Sequence, residues 1–147
     1  MKLFISADIE GTTGIAHWDE TEPSQRGYDY FSKQMTREVS AVCDTALKCG
    51  ATKITVKDAH DTARNIDPAG LPESVEIIRG WARNPLIMMA GIDESYDGVI
   101  FTGYHSAGGT AANPMSHTMH SAYEYIKIND ALASEFLNNT YTAAYFG

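Results

Sequence analysis

Apolar residues fall in short runs separated by polar, glycine-containing stretches, and the period of the pattern changes along the chain. Met1-Lys2-Leu3-Phe4-Ile5 opens with a run suited to a buried strand. From Tyr28 the pattern is helical: Tyr28, Phe31, Met35, Val39, Val42 and Ala46 recur at spacings of three and four. Cys49-Gly50 closes that segment, because glycine enters the left-handed conformation of a helix C-terminus at little cost. Lys53-Ile54-Thr55-Val56-Lys57 predicts a second strand, Val75-Glu76-Ile77-Ile78 a third and Gly98-Val99-Ile100-Phe101-Thr102 a fourth. Between the last two, Asn84-Pro85 predicts a short helix over Leu86 to Ala90, with asparagine as its cap and proline in its first turn. Tyr125 to Ile128 and Ala131 to Ala133, on either side of Asn129-Asp130, predict a hairpin, followed by a final helix from about Ser134. Such alternation implies an α/β fold: a layered, mostly parallel sheet with flanking helices.

In parallel sheets ligands bind at the carboxyl ends of the strands, so the residues found there matter. The first strand runs into Asp8-Ile9-Glu10, the second into Asp58-Ala59-His60 and the fourth into Gly103-Tyr104-His105. Residues two apart on an extended chain share a side, so a strand persisting to residue 10 would aim Asp8 and Glu10 at one spot. One acid or one histidine after a strand is ordinarily a turn cap or a solvent-facing residue. Three at equivalent places point to a shared ligand.

Oxygen and imidazole donors without thiolate suit zinc, manganese or cobalt, and histidine disfavours magnesium. A pair of cations needs a bridging carboxylate and a third acid on the same edge. Glu135, where the hairpin turns into the last helix, is the candidate, although an acid there also suits the helix dipole. Gly103 to His120 combines glycines with three histidines, and no Lys-Ser or Lys-Thr follows that would make it a phosphate cradle. His117 is placed there as a base, acid or nucleophile beside the metals. His120 shares its face only if the segment is helical, and His17 beside Trp18 reads as a loop residue.

Composition narrows the classes. A chain of 147 residues fits one domain that buries roughly two thirds of its unfolded surface. A net charge of -8 argues against nucleic acid as a partner. Cys43 and Cys49 would lie about 120° apart on the helix, so they are not expected to pair, which suits a reducing compartment. Asp8 interrupts the N-terminal apolar run and no stretch approaches the ~20 apolar residues of a membrane span, so a cytoplasmic protein without membrane contact is expected. The chain reaches Tyr145-Phe146-Gly147 on an apolar helix, from which a missing C-terminal region is expected.

Taken together, Ser6-x-Asp8-x-Glu10-Gly11, Asp58-x-His60, Gly103-Tyr104-His105, Met115-Ser116-His117 and Glu135 after Ile-Asn-Asp resemble the D-aminopeptidase family of zinc peptidases, the DppA-like group of peptidase family M55. Each motif is weak alone, but the set runs in family order across nearly the whole chain. The resemblance implies that Asp8, Glu10, His60, His105 and Glu135 hold two zinc ions per chain, with Asp8 as the bridge, and that His117 is the catalytic histidine. It implies release of N-terminal D-residues from short peptides such as D-Ala-D-Ala, and a ring-like homo-oligomer. Family members also continue well beyond the length of this chain.

Asp8-Ile9-Glu10-Gly11-Thr12 resembles, in addition, the strand end of haloacid-dehalogenase-like magnesium phosphatases. There the second acid is aspartate, and His60 and His105 would have no role. A metal-binding oligomer without turnover is the non-enzymatic alternative. Structural zinc is usually closed by cysteine and histidine, whereas this donor set is rich in oxygen.

Overall fold

Five consecutive buried residues, Leu3 to Ala7, lie in β1 (Lys2–Ala7), a pattern that suits a central strand covered on both faces. The computed structural model of the protein describes residues 1–147 and places β1 in that position. After β1 come α1 (Tyr28–Lys48), β2 (Lys53–Asp58), β3 (Glu76–Ile78), β4 (Gly98–Thr102), β5 (Lys127–Ile128), β6 (Ala131–Leu132) and α2 (Glu135–Phe146). The first four strands form a parallel sheet in the order β3-β2-β1-β4, and β5 and β6 form a separate antiparallel hairpin. This is the α/β architecture that the alternation of strand and helix predicts.

Alternation along β1 divides the core. Leu3, Ile5 and Ala7 pack with Met35, Val39, Cys43 and Ala46 of α1. Phe4 packs with Met89 and Ile92 in a second cluster, joined by Ala143 and Phe146 of α2. Each large apolar side chain so buried contributes about 1.5–3 kcal/mol, an upper estimate. Helix α1 stops where expected: Gly50 adopts φ +91°, its N–H donates to the Leu47 carbonyl (3.0 Å), and the Ala51 N–H donates to the Ala46 carbonyl (2.9 Å). That pair of bonds satisfies carbonyls the helix end would otherwise leave free.

Strand register sets the level of the functional edge. Ala7 lies opposite both Asp58 and Thr102, so the three strands leave the sheet together. The Asp8 N–H donates to the Thr102 carbonyl (2.9 Å) and the Ala59 N–H to the Ala7 carbonyl (2.8 Å), carrying the pairing one residue further.

Two expectations change. The hairpin strands are two residues each rather than three or four. Leu86 to Ala90 does not form the expected helix: only a 3-10 turn at Ile87–Met89 is present, with Ile87 at φ +49°. Tertiary contacts override the local signal here. Met88 and Met89 are buried, and the Ser6 hydroxyl donates to the Met88 carbonyl (2.8 Å), an acceptor that a continuing helix would offer to residue 92. The last helix begins as expected, with Ser134 Oγ accepting from the Leu137 N–H (3.0 Å). No helix is long and apolar enough to cross a membrane.

Candidate metal centre

Strand geometry does not persist to residue 10. β1 ends at Ala7, and the Thr12 N–H donates to the Ile9 carbonyl (2.9 Å), closing a turn. Asp8 and Glu10 converge all the same, through that turn instead of through strand alternation. Two backbones pressed together hold it in place. The Gly11 N–H donates to the Gly103 carbonyl (2.7 Å), and a Cβ on Gly11 would stand 2.8 Å from the Gly103 carbonyl carbon. Gly103 itself has φ +66°, and a Cβ there would overlap the Asp8 carbonyl oxygen. Only glycine fits at either position, and His105, two residues on, is thereby set beside Asp8.

Six predicted site residues meet at this edge. His60 Nδ1 lies 3.5 Å from Asp8 Oδ1 and 3.1 Å from Glu10 Oε2. His105 Nε2 lies 3.7 Å from Asp8 Oδ2 and 3.5 Å from Glu135 Oε1. His117 Nε2 lies 3.7 Å from Glu10 Oε1 and 3.4 Å from the same Glu135 oxygen. The rings of His105 and His117 stack with centroids 4.1 Å apart, and Trp18 meets His117 edge-on at 5.0 Å. Glu135 is the first residue of α2, where the helix dipole favours an acid, and its Oε1 also accepts from the Met119 N–H (2.7 Å). The two readings of Glu135 are therefore compatible.

Each histidine has its outer nitrogen against a backbone carbonyl. His60 Nε2 faces the Thr21 carbonyl (3.1 Å), His105 Nδ1 the Ser106 carbonyl (3.0 Å) and His117 Nδ1 the Met115 carbonyl (2.9 Å). A carbonyl only accepts, so these nitrogens carry the protons. In the neutral ring the inner nitrogen then presents a lone pair to the centre, the orientation metal-ligating histidines adopt.

Other strand-end residues do not join. The Asp58 carboxylate faces away and accepts from the Asn65 N–H (2.6 Å), the Ile66 N–H (2.8 Å) and the Asn65 side chain (2.9 Å). His120 is exposed on the wall of the cleft, with Nδ1 accepting from the Ala122 N–H (3.0 Å). His17 is exposed and caps a short 3-10 turn at Trp18–Glu20.

Electrostatically the centre is strained without a cation. Asp8 is raised well above the usual carboxylate range, first by burial and then by the neighbouring Glu10. Burial would raise Glu10 too, but His60 outweighs it and holds Glu10 low. Burial disfavours the His60 imidazolium, yet Asp8 and Glu10 push it up to about 11. His105 follows the same balance, with Glu135 and Asp8 against burial, and rises to about 9. Asp8 Oδ2 and His105 Nε2 are buried with no hydrogen-bond partner, and Glu10 Oε2 has only the His60 ring beside it. Unsatisfied buried atoms of this kind cost on the order of 1–3 kcal/mol each, and a divalent cation held by Asp8, His105 and Glu135 would satisfy them.

Donor atoms group accordingly. Asp8, Glu10 and His60 place one ligand atom each within 4.8 Å of one another, as do Asp8, His105 and Glu135, and also Glu10, His105 and His117. Asp8 belongs to the first two groups. A cleft of about 650 Å³ opens over them, and Trp18, Glu22, Asp61, Trp81 and Met119 line its outer part. Nothing in the sequence pattern marks these wall residues, since they lie in irregular segments and are brought in only by the fold.

The sequence profile of the Peptidase M55 family, described as D-aminopeptidase, matches residues 1–147. The chain is 31% identical over 146 residues to a D-aminopeptidase of Bacillus subtilis (strain 168), a match that covers 99% of this chain and 53% of the relative. Its fold superposes on the solved structure of the Zn-dependent D-aminopeptidase DppA from Bacillus subtilis, a self-compartmentalizing protease, with a TM-score of 0.93 at 31% identity. That alignment likewise covers 99% of this chain and 53% of the solved one. The chain thus spans about half the length of the curated relative it matches.

Proposed function

The chain belongs to the D-aminopeptidase family of peptidases, M55, and on that premise we propose that it carries the zinc centre of an aminopeptidase that hydrolyses the N-terminal amide bond of short peptides, with preference for a D-residue such as D-Ala. The observation that carries this reading is the convergence of inward imidazole nitrogens and carboxylate oxygens, with Asp8 Oδ2 and His105 Nε2 lacking a hydrogen-bond partner, around one buried centre. Asp8, Glu10, His60, His105 and Glu135 would hold two zinc ions per chain. Asp8 is the one residue common to the two donor groups that do not include His117, which supports its role as the bridge. When bound, zinc supplies Lewis acidity toward an amide carbonyl and makes water more acidic.

His117 is the catalytic histidine in this reading. Its Nδ1 proton is engaged by the Met115 carbonyl, so Nε2 is the atom that takes a proton, returns it to the leaving amine, or attacks the carbonyl. Stacking on His105 and the edge of Trp18 fix the ring in that orientation. A second reading makes His117 a ligand, favoured by the Glu10, His105 and His117 grouping. Residues 1–147 act as a single metallopeptidase-like domain, in a cytoplasmic, ring-like homo-oligomer. The self-compartmentalizing relative supports assembly of some kind.

Elemental mass spectrometry on protein loaded with zinc and desalted tests the centre: about two zinc ions per chain are expected, and near zero in a folded sample would overturn the proposal. His117→Ala should keep both metals and lose release of D-Ala from D-Ala-D-Ala. Loss of a metal as well would establish the second reading.

A further inference from the structure

Glu135, His105 and Asp8 come from three separate segments, α2, the loop after β4 and the end of β1. A buried chain of side chains joins those segments. Asn139 Nδ2 donates to the Tyr104 hydroxyl oxygen (2.9 Å), the Tyr104 and Ser6 hydroxyls lie 2.7 Å apart, and Ser6 Oγ donates to the Met88 carbonyl (2.8 Å). Ser6 has one proton and the Met88 carbonyl takes it, so Tyr104 must be the donor to Ser6. The chain therefore runs in one direction, Asn139 to Tyr104 to Ser6 to Met88. Asn139 also directs its amide at Met88 Sδ (3.3 Å).

Asn139, Tyr104 and Ser6 each stand close along their element to one residue of the Asp8, His105 and Glu135 group. Asn139 is one helical turn after Glu135 on the same face. Tyr104 precedes His105, and Ser6 stands two residues before Asp8. None of the three lines the cleft. Glu10 and His60, which complete the other Asp8 group, make no hydrogen bond to Ser6, Tyr104 or Asn139.

We propose that Tyr104, bridging Asn139 and Ser6, is a positioning residue that fixes Glu135 and His105 against Asp8 and so sets the affinity of one of the two metal positions. This rests on the metal-centre reading above. Tyr104→Phe keeps the ring and its packing against Phe101 and removes only the hydroxyl.

Metal-free wild type and Tyr104→Phe would be titrated with cobalt(II), read by visible absorption, and with zinc against a chromophoric chelator, alongside urea unfolding of the metal-free proteins. One binding step should weaken about 10–100-fold in the variant, with a changed cobalt spectrum, while the other stays within about twofold. Two unchanged steps and an unchanged spectrum, with only a lower urea midpoint, would overturn the inference and leave Tyr104 a purely structural residue. Should Tyr104→Phe fail to fold, Ser6→Ala removes the acceptor of the Tyr104 hydroxyl together with the donor to the Met88 carbonyl, leaving the Tyr104 side chain intact. The same single step should weaken, and unchanged binding overturns the inference. Wild-type protein that takes up no cobalt overturns the metal-centre reading itself, an outcome distinct from loss confined to the variant.

Discussion

Replacing Gly103 by alanine tests whether backbone contact between the β1 and β4 loops builds the site. Gly103 sits at φ +66°, where a Cβ would overlap the Asp8 carbonyl oxygen and stand 2.8 Å from its carbon. The left-handed conformation costs alanine about 1–2 kcal/mol. The overlap is with backbone, so no rotamer relieves it, and parting the loops adds about 1–3 kcal/mol. Reduced freedom of the unfolded chain returns about 0.4–1 kcal/mol, leaving a net loss of about 1–4.6 kcal/mol, of which the overlap's share of about 1–3 kcal/mol is absent at an unobstructed left-handed glycine. Gly50 supplies the control: its φ is +91°, also left-handed, but a Cβ there meets nothing within 4 Å. Gly50→Ala should therefore cost only about 1 kcal/mol. Urea unfolding of the metal-free variants in a chelator, compared at equal slope, reads the difference, and Gly103→Ala should also bind zinc more weakly because Asp8 is displaced from His105. Equal midpoints for the two variants, within about 0.5 kcal/mol, would refute the idea that the two loops are locked backbone to backbone.

Three further outcomes follow from the geometry. In the metal-free centre His60 is held protonated up to about 11 and His105 up to about 9, so zinc, which binds only the neutral rings, must displace both protons at neutral pH. Affinity should rise with pH below 9, and calorimetry in buffers of different ionisation enthalpy should find at least about two protons released; none released would contradict the assignment. Asn65 is buried and bonds Asp58 Oδ1 (2.9 Å), the His60 carbonyl (2.7 Å) and the Tyr28 hydroxyl (2.8 Å), so Asn65→Ala should destabilise by about 2–4 kcal/mol in urea, and a loss under about 1 kcal/mol would show the network to be dispensable. Cys43 is buried, with its thiol pushed up to about 11 by burial, whereas Cys49 is exposed; a thiol reagent should label Cys49 in the native protein and reach Cys43 only on unfolding, and simultaneous labelling of both would argue against the packing of α1.

Much of the fold was legible in one dimension because its causes are local. β4 and the start of α2 lie where the pattern places them, since a buried parallel strand must be a short apolar run and a helix must begin at a cap. Gly50 ends α1 for a reason written in its missing Cβ. Acids and histidines just past three strand ends were legible too, because parallel register brings such ends level. The predicted helix at Leu86 to Ala90 failed because Met88 and Met89 are claimed by the core and by Ser6, 82 residues away from Met88.

Tertiary structure alone decided how the site is made. Asp8 and Glu10 converge through a turn pressed on Gly103, Asp58 turns away to Asn65, and three carbonyls set which nitrogen each histidine offers. The hydroxyl chain from Asn139 to Ser6 is equally invisible in the sequence. A sequence states which donors a chain carries and where its strands end, but a hydrogen bond's direction depends on the partner it meets, and partners dozens of residues apart are chosen only when the sheet closes.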